Sequence, residues 1–198
     1  MTRTFLFLLG SSRTDGNTET LARLAAEHLP AGAEQRWLRL ADLPLPEYED
    51  LRHADDGHPT PTGNAATLLD ATLWATDLVI ASPLYWYTLS TPVKRYLDHW
   101  AGWMREPGLD FKPRMAGRTL WGVTAHGSSD RSDADPLLGT LSIIAEYMKM
   151  EWGGALLGNG TRPGDVLHDA RALVDAKEFF ARVEAPVEAP VEEPAAAP

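Results

Sequence analysis

The chain has 198 residues, 44% hydrophobic and 23% charged, which suits one globular domain with a sizeable core. Its net charge is −10, and an acidic chain without a basic run is a poor nucleic-acid binder. There is no cysteine, which excludes disulfides, thiolate metal sites, Cys-ligated clusters and a cysteine nucleophile. No apolar run approaches the roughly 18 residues of a membrane span.

In chain order, Thr4–Leu9 is a short apolar run stopped by Gly10, the pattern of a buried strand. Because a polar Ser-Ser-Arg follows it, the run is expected to be a first strand of a cytoplasmic protein and not a secretion signal. Leu21, Leu24, Ala25 and Leu29 recur at helical spacing until Pro30 and Gly32. Gln35–Leu40 is a second strand candidate. Pro44 to Gly63 is a long polar stretch with Pro44, Pro46, Pro59 and Pro61, and loops of that length are often functional or flexible. A helix over Asn64–Ala75 leads into the strand Leu78–Ala81.

An aromatic loop follows Pro83, then a helix from Thr91 with the stripe Val93, Tyr96, Leu97, Trp100 and Met104. Core packing accounts for some of Trp100, Trp103 and Met104, and a subunit interface could take the rest. Thr119–Ala125 is a fourth strand. Leu137, Leu138, Leu141, Ile144, Ala145 and Met148 mark a helix, and Glu151–Leu157 is a weak fifth strand because Gly153 and Gly154 interrupt it. Leu173, Ala176, Phe180 and Val183 mark a last helix. From Glu184 the chain repeats Glu-Ala-Pro-Val and stays Pro-rich, so residues 184–198 are expected to be a disordered tail on a domain spanning 1–183.

Five alternating strand–helix units imply a parallel sheet covered on both faces. The expected architecture is a flavodoxin-like doubly wound α/β sheet with strand order 2-1-3-4-5. Right-handed crossovers then send the helices after strands 1 and 3 to opposite faces, opening a crevice at the carboxyl ends of those strands.

Two loops border that crevice. Gly10-Ser-Ser-Arg-Thr-Asp-Gly-Asn-Thr18 joins a strand to a helix N-terminus, where unpaired N–H groups and the positive helix end favour an anion. Hydroxyls and a guanidinium add donors. It is neither a Walker A loop nor Gly-x-Gly-x-x-Gly, and an ordinary turn capped by Asn17 or Thr18 explains its composition equally well. The second loop, Ser82 to Thr91, carries Tyr85, Trp86 and Tyr87 in succession. Three consecutive loop aromatics cannot all face a core, and they suit stacking on a planar ligand or a protein partner.

Together, Gly10-Ser-Ser-Arg-x-x-Gly-Asn-Thr18 and Ser82-Pro-x-Tyr-Trp-Tyr-x-x-x-Thr-Pro-x-Lys-x-x-x-Asp98 resemble the NAD(P)H-dependent FMN reductases and related flavodoxin-like quinone reductases, over roughly residues 4–180. The resemblance implies that Ser11, Arg13, Asn17 and Thr18 bind the FMN phosphate. Pro83, Leu84, Tyr85, Trp86 and Tyr87 would line the isoalloxazine ring, and the loop after strand 4, with Thr124, His126 and Gly127, would close the other edge. It further implies an oxidoreductase that takes hydride from NADH or NADPH and reduces a small acceptor such as a quinone, with subunits paired as a homodimer or homotetramer. A flavodoxin-type electron carrier and a flavin-free interaction protein stay open as alternatives. The chain lacks the cysteines of the iron–sulfur flavoprotein branch and carries the additional Pro-rich segment 44–63.

No side-chain nucleophile or carboxylate pair stands out. Lys94 and Asp98, spaced i,i+4, suit a surface ion pair. Asp130, Arg131, Asp133 and Asp135 lack the glycine turn and terminal Glu of a calcium loop and suit a solvated loop. His126 is a candidate for contact with the flavin or a substrate, or for a plain backbone hydrogen bond.

Overall fold

The computed structural model describes residues 2–54 and 57–181, so the expectation for the tail after Glu184 lies outside the described residues. Five strands form one parallel sheet: β1 (Thr4–Leu9), β2 (Glu34–Arg39), β3 (Asp77–Ala81), β4 (Thr119–His126) and β5 (Glu151–Asn159). The order is β2-β1-β3-β4-β5, as the alternating pattern predicts. Register runs Phe5 opposite Asp77 through Leu9 opposite Ala81, which brings the ends of β1 and β3 level.

Side chains alternate across the sheet. Phe5, Phe7 and Leu9 with Val79, Trp121 and Val123 pack under α1 (Asn17–Ala26) and α6 (Ala170–Glu178). Leu6, Leu8, Leu78, Ile80 and Leu120 pack on the other face, under α2 (Gly63–Trp74), α3 (Thr91–Trp103) and α5 (Asp135–Met148). Two covered faces are the reason the inner strands are continuous apolar runs. The opposed placement of α1 and α3 opens the crevice at the β1/β3 switch point.

β5 reaches Asn159, two residues past its expected end. Its glycines answer to Trp121 in the neighbouring strand. The register shifts between Leu120 and Trp121, Gly154 has φ +98°, and a Cβ on Gly153 would stand 2.5 Å from the Trp121 indole. The short helix α4 (Phe111–Met115) escaped the sequence reading because five residues with Pro113 among them show no period. Phe111 meets Trp100 and Trp103 edge-on, with centroids 5.3 and 5.4 Å apart. Trp100 and Trp103 are therefore core residues of this chain, and only Met104 of that group is partly buried at the margin.

The described part of segment 44–63 lies over α2 and α3. Arg95 donates to the Leu45 carbonyl at 3.2 Å, Asn64 to the Pro44 carbonyl at 3.0 Å, and Thr60 to Glu106 at 2.9 Å. Lys94 and Asp98 pair on the surface of α3. Asp130 accepts from the Ser132 amide at 2.9 Å and hydroxyl at 2.7 Å, starting the turn that leads into α5. Among the described residues no helix is long and apolar enough to cross a membrane.

Candidate active site

The two crevice loops are joined at their roots. The Gly10 amide donates to the Ala81 carbonyl at 2.8 Å. The Ser90 hydroxyl donates to the Gly10 carbonyl at 2.7 Å, and the Ser90 amide donates to the Ser82 hydroxyl at 2.9 Å. This contact needs glycine: a Cβ on Gly10 would lie 2.3 Å from Val93 Cγ2 and 2.7 Å from Ser90 Oγ.

Above that floor the first loop turns at Asp15, with φ +58°, and enters α1 through Gly16, where no side chain caps the helix. Asn17 and Thr18 both turn elsewhere. The Asn17 amide donates to the Arg162 carbonyl at 2.8 Å, and its oxygen accepts weakly from the Val166 amide at 3.4 Å. The Thr18 hydroxyl accepts from the Ala125 amide at 3.2 Å. The capped-turn alternative therefore fails, and the first amides of α1 keep their capacity for an anion. Ser11 is buried and accepts from the Arg13 amide at 3.0 Å, whereas Arg13 itself is exposed.

The second loop is a tight hairpin. Tyr85 and Thr88 exchange two backbone hydrogen bonds of 3.1 Å, and Trp86 and Tyr87 between them have φ +50° and +63°. Left-handed backbone at both central positions is the geometry of a type I′ turn, which normally selects Asn or Gly. Its effect is to throw Trp86 outward, 93% exposed. Pro83, Leu84 and Tyr85 line a cleft of about 220 Å3 with Ser11, Arg13, Asn17, Thr18, His126 and Gly127. Trp86 and Tyr87 stand outside that lining at the rim, and Thr124 sits wholly buried behind it in β4.

His126 closes β4. It is nearly buried, and burial pushes its pKa below the ordinary value, so the imidazole is neutral near pH 7. Its Nδ1 and the Thr124 hydroxyl have no hydrogen-bond partner among the described residues.

The remaining wall, Gly160, Thr161 and Pro163, was missed by the sequence reading. It follows β5, whose weak pattern hid the fact that its end reaches the same sheet edge. Asp165 accepts from the Thr161 and Arg162 amides at 3.1 and 2.7 Å, and the Asn159 side chain donates to the Ser128 carbonyl at 2.5 Å. The Gly160 amide donates to the His126 carbonyl at 3.0 Å. The run Gly158-x-Gly160-x-x-x-Gly164 was the available signal. Gly158 and Gly160 sit where a Cβ would strike Val166 and Asn17, at 2.7 Å each.

Residues 3–181 match the family model described as the flavodoxin-like fold. The chain belongs to this family. YwqN of Bacillus subtilis (strain 168), named as a candidate NAD(P)H-dependent FMN-containing oxidoreductase, is 31% identical to this chain over 177 residues, 89% of this chain and 96% of that protein. Among solved structures, the Trp repressor binding protein from Bacillus subtilis has a TM-score of 0.72 at 26% identity, covering 91% of this chain and 99% of the other. An FMN-dependent NADH-azoreductase from Bacillus anthracis, solved with FMN, has a TM-score of 0.59 at 16% identity, covering 91% and 99%. An NADPH-quinone reductase from P. pentosaceus has a TM-score of 0.58 at 15% identity, covering 93% and 100%. The last two likenesses extend the shared fold to distant sequences.

Proposed function

We propose that this cleft holds FMN, with its phosphate on the Gly10–Thr18 loop and its ring against Pro83, Leu84 and Tyr85. The protein is an FMN-dependent oxidoreductase that draws electrons from NAD(P)H. The observation that carries the site assignment is one juxtaposition: the uncapped start of α1, with Ser11 and Arg13, faces an apolar wall across the β1/β3 switch point. An anion-binding end opposite a flat apolar wall matches a phosphate joined to a planar ring. When bound, FMN supplies two-electron transfer from a reduced nicotinamide to a quinone, flavin or azo/nitro acceptor.

The chain's part is to bind and orient. Arg13 and the Ser11 hydroxyl meet the phosphate together with the Asn17 and Thr18 amides. The Asn17 side chain is spent on fixing the loop after β5. His126 and Gly127 form the opposite edge, with Thr161 beside them. Trp86 and Tyr87 cover the outer edge of the ring or the acceptor that approaches it. Such chemistry requires no side-chain nucleophile. The physiological setting in this reading is the cytoplasm, where NADH and NADPH are regenerated.

The chain also forms a homodimer or homotetramer in this reading. Ile143 and Tyr147 are 66% and 57% exposed on α5, beside partly buried Ile144, and an apolar helix face of this kind suits a second subunit. Light scattering of the purified protein tests it, and a monomeric mass would reject it.

The function is tested by reconstituting the protein with FMN and adding NADH or NADPH without oxygen. After unbound FMN is removed, absorbance near 450 nm should stay with the protein and bleach rapidly on addition of the reduced nicotinamide. A protein that takes up no FMN would refute the proposal, and one that binds FMN without bleaching would act as an electron carrier only.

A further inference from the structure

Glu19 stands in the first turn of α1, the end of the helix that would receive the phosphate. Its side chain is 5% exposed. A bare carboxylate there would compete with an anionic ligand for the same positive field. It is not bare. Arg39, the last residue of β2, donates through Nη2 to Glu19 Oε2 at 2.6 Å. Arg23 donates to Oε1 through Nε at 3.0 Å and Nη2 at 2.7 Å. Burial alone would raise the Glu19 pKa, but the hydrogen bonds and charges of the two arginines together hold it below the ordinary value.

Arg39 has a second hand. Its Nη1 donates to the backbone carbonyl of Arg13 at 2.9 Å. A planar trans peptide puts C=O and N–H on opposite sides, so this bond turns the Thr14 N–H away from Arg39. One guanidinium therefore connects the edge strand, the first turn of α1 and the turn of the 10–18 loop. Arg39 does not line the cleft, so its influence on a ligand passes through the loop.

We propose that Arg39 and Glu19 are a positioning pair for phosphate recognition: Glu19 orients Arg39, Arg39 holds the Arg13 peptide, and the arginines cancel the Glu19 charge beside the anion. This rests on the assignment of the FMN phosphate to the 10–18 loop. Glu19, Arg23 and Arg39 together carry one net positive charge, which is lost without Arg39; the Asp42 carboxylate, 4.0 Å from Arg39 Nε, is 76% exposed and screened by water. Without Arg39, the buried Glu19 carboxylate is compensated by Arg23 alone, which is half exposed.

The test compares FMN with riboflavin, which carries the same ring and no phosphate, by fluorescence titration of the apoprotein. Wild type should prefer FMN strongly. If it binds both equally, the assignment of the phosphate to this loop fails, and the positioning role with it. Given that preference, Arg39→Gln should lower FMN affinity on the order of tenfold, the scale of a lost hydrogen bond to a charged group, while riboflavin affinity stays within about twofold. Adding Glu19→Gln to Arg39→Gln should recover part of the loss, because the carboxylate left with Arg23 alone is gone. Arg39→Lys guards against a folding failure: lysine keeps the charge but cannot bridge two acceptors as a planar fork does, so the FMN preference should fall while the melting temperature holds. Equal losses for both ligands, an unchanged preference in Arg39→Lys, or a double variant no better than Arg39→Gln would each overturn the proposal.

Discussion

Trp86 and Trp100 are fourteen residues apart in the chain and opposite in their fate. Trp86 is 93% exposed at the tip of a strained hairpin, and Trp100 is 3% exposed in a cluster with Tyr96, Trp103 and Phe111. The buried cluster is held by edge-to-face contacts between rings 5.3 to 5.7 Å apart. The hairpin is held by two backbone bonds and carries left-handed aromatic residues. Backbone strain of that kind costs of order 1–3 kcal/mol per residue, and the Trp86 ring, almost wholly exposed, recovers little of it within this chain. Aromatic surface is thus buried for stability in α3 and left open to solvent beside the cleft in the hairpin.

The comparison can be broken by treating the two regions alike. Trp103→Ala should be the costliest substitution, at about 3–5 kcal/mol, because its ring is 2% exposed. Thermal melting should fall on the order of 10 °C; a drop of about a degree would show that the cluster is not where stability resides. Gly10→Ala comes next, at about 1–3 kcal/mol for forcing a methyl into Val93 and Ser90. It should also weaken FMN binding, since it spreads the two loop roots, and denaturant titration with parallel FMN titration reads both effects.

Trp86→Ala should change stability by less than about 0.5 kcal/mol and yet reduce kcat/KM with a quinone acceptor several-fold. Unaltered kinetics would leave the hairpin tip without a part in turnover. Tyr87→Gly should raise the melting temperature by about 1–3 °C, because glycine adopts positive φ freely; a fall would mean that the Tyr87 ring contributes more than its backbone costs.

The smallest effect is that of pH on His126. Its folded pKa lies below the ordinary value. As pH falls below about 6.5, the unfolded chain gains a proton that the folded chain resists, so stability declines until the folded pKa is passed. His126→Gln should flatten that part of a melting-temperature profile between roughly pH 5 and 7; an identical slope would assign it to other groups.

Much of the fold was legible because both faces of the inner strands are buried. Phe5–Leu9 and Leu78–Ala81 cannot be read as anything amphipathic, and the helical stripes between them set the alternation. β5 was harder, since Gly153 and Gly154 weaken its own pattern and make sense only against Trp121 in the neighbouring strand. In the cleft, Ser11, Arg13, Asn17 and Thr18 of the first loop, Pro83, Leu84 and Tyr85 of the second, and His126 and Gly127 after β4 line one space. Thr124, Trp86 and Tyr87 fall behind the lining or beyond it.

By itself the sequence determined the order of strands and helices, and with it the two loops that must flank the β1/β3 crevice. Local periodicity and the handedness of crossovers suffice for that. Only the tertiary structure decided that Asn17 reaches Arg162, that Arg39 joins Glu19 to the Arg13 peptide, and that the loop after β5 completes the wall. Each of these contacts joins residues 20 to 145 positions apart. Side-chain reach across such separations follows from packing of the whole sheet, and no local pattern of residues records it.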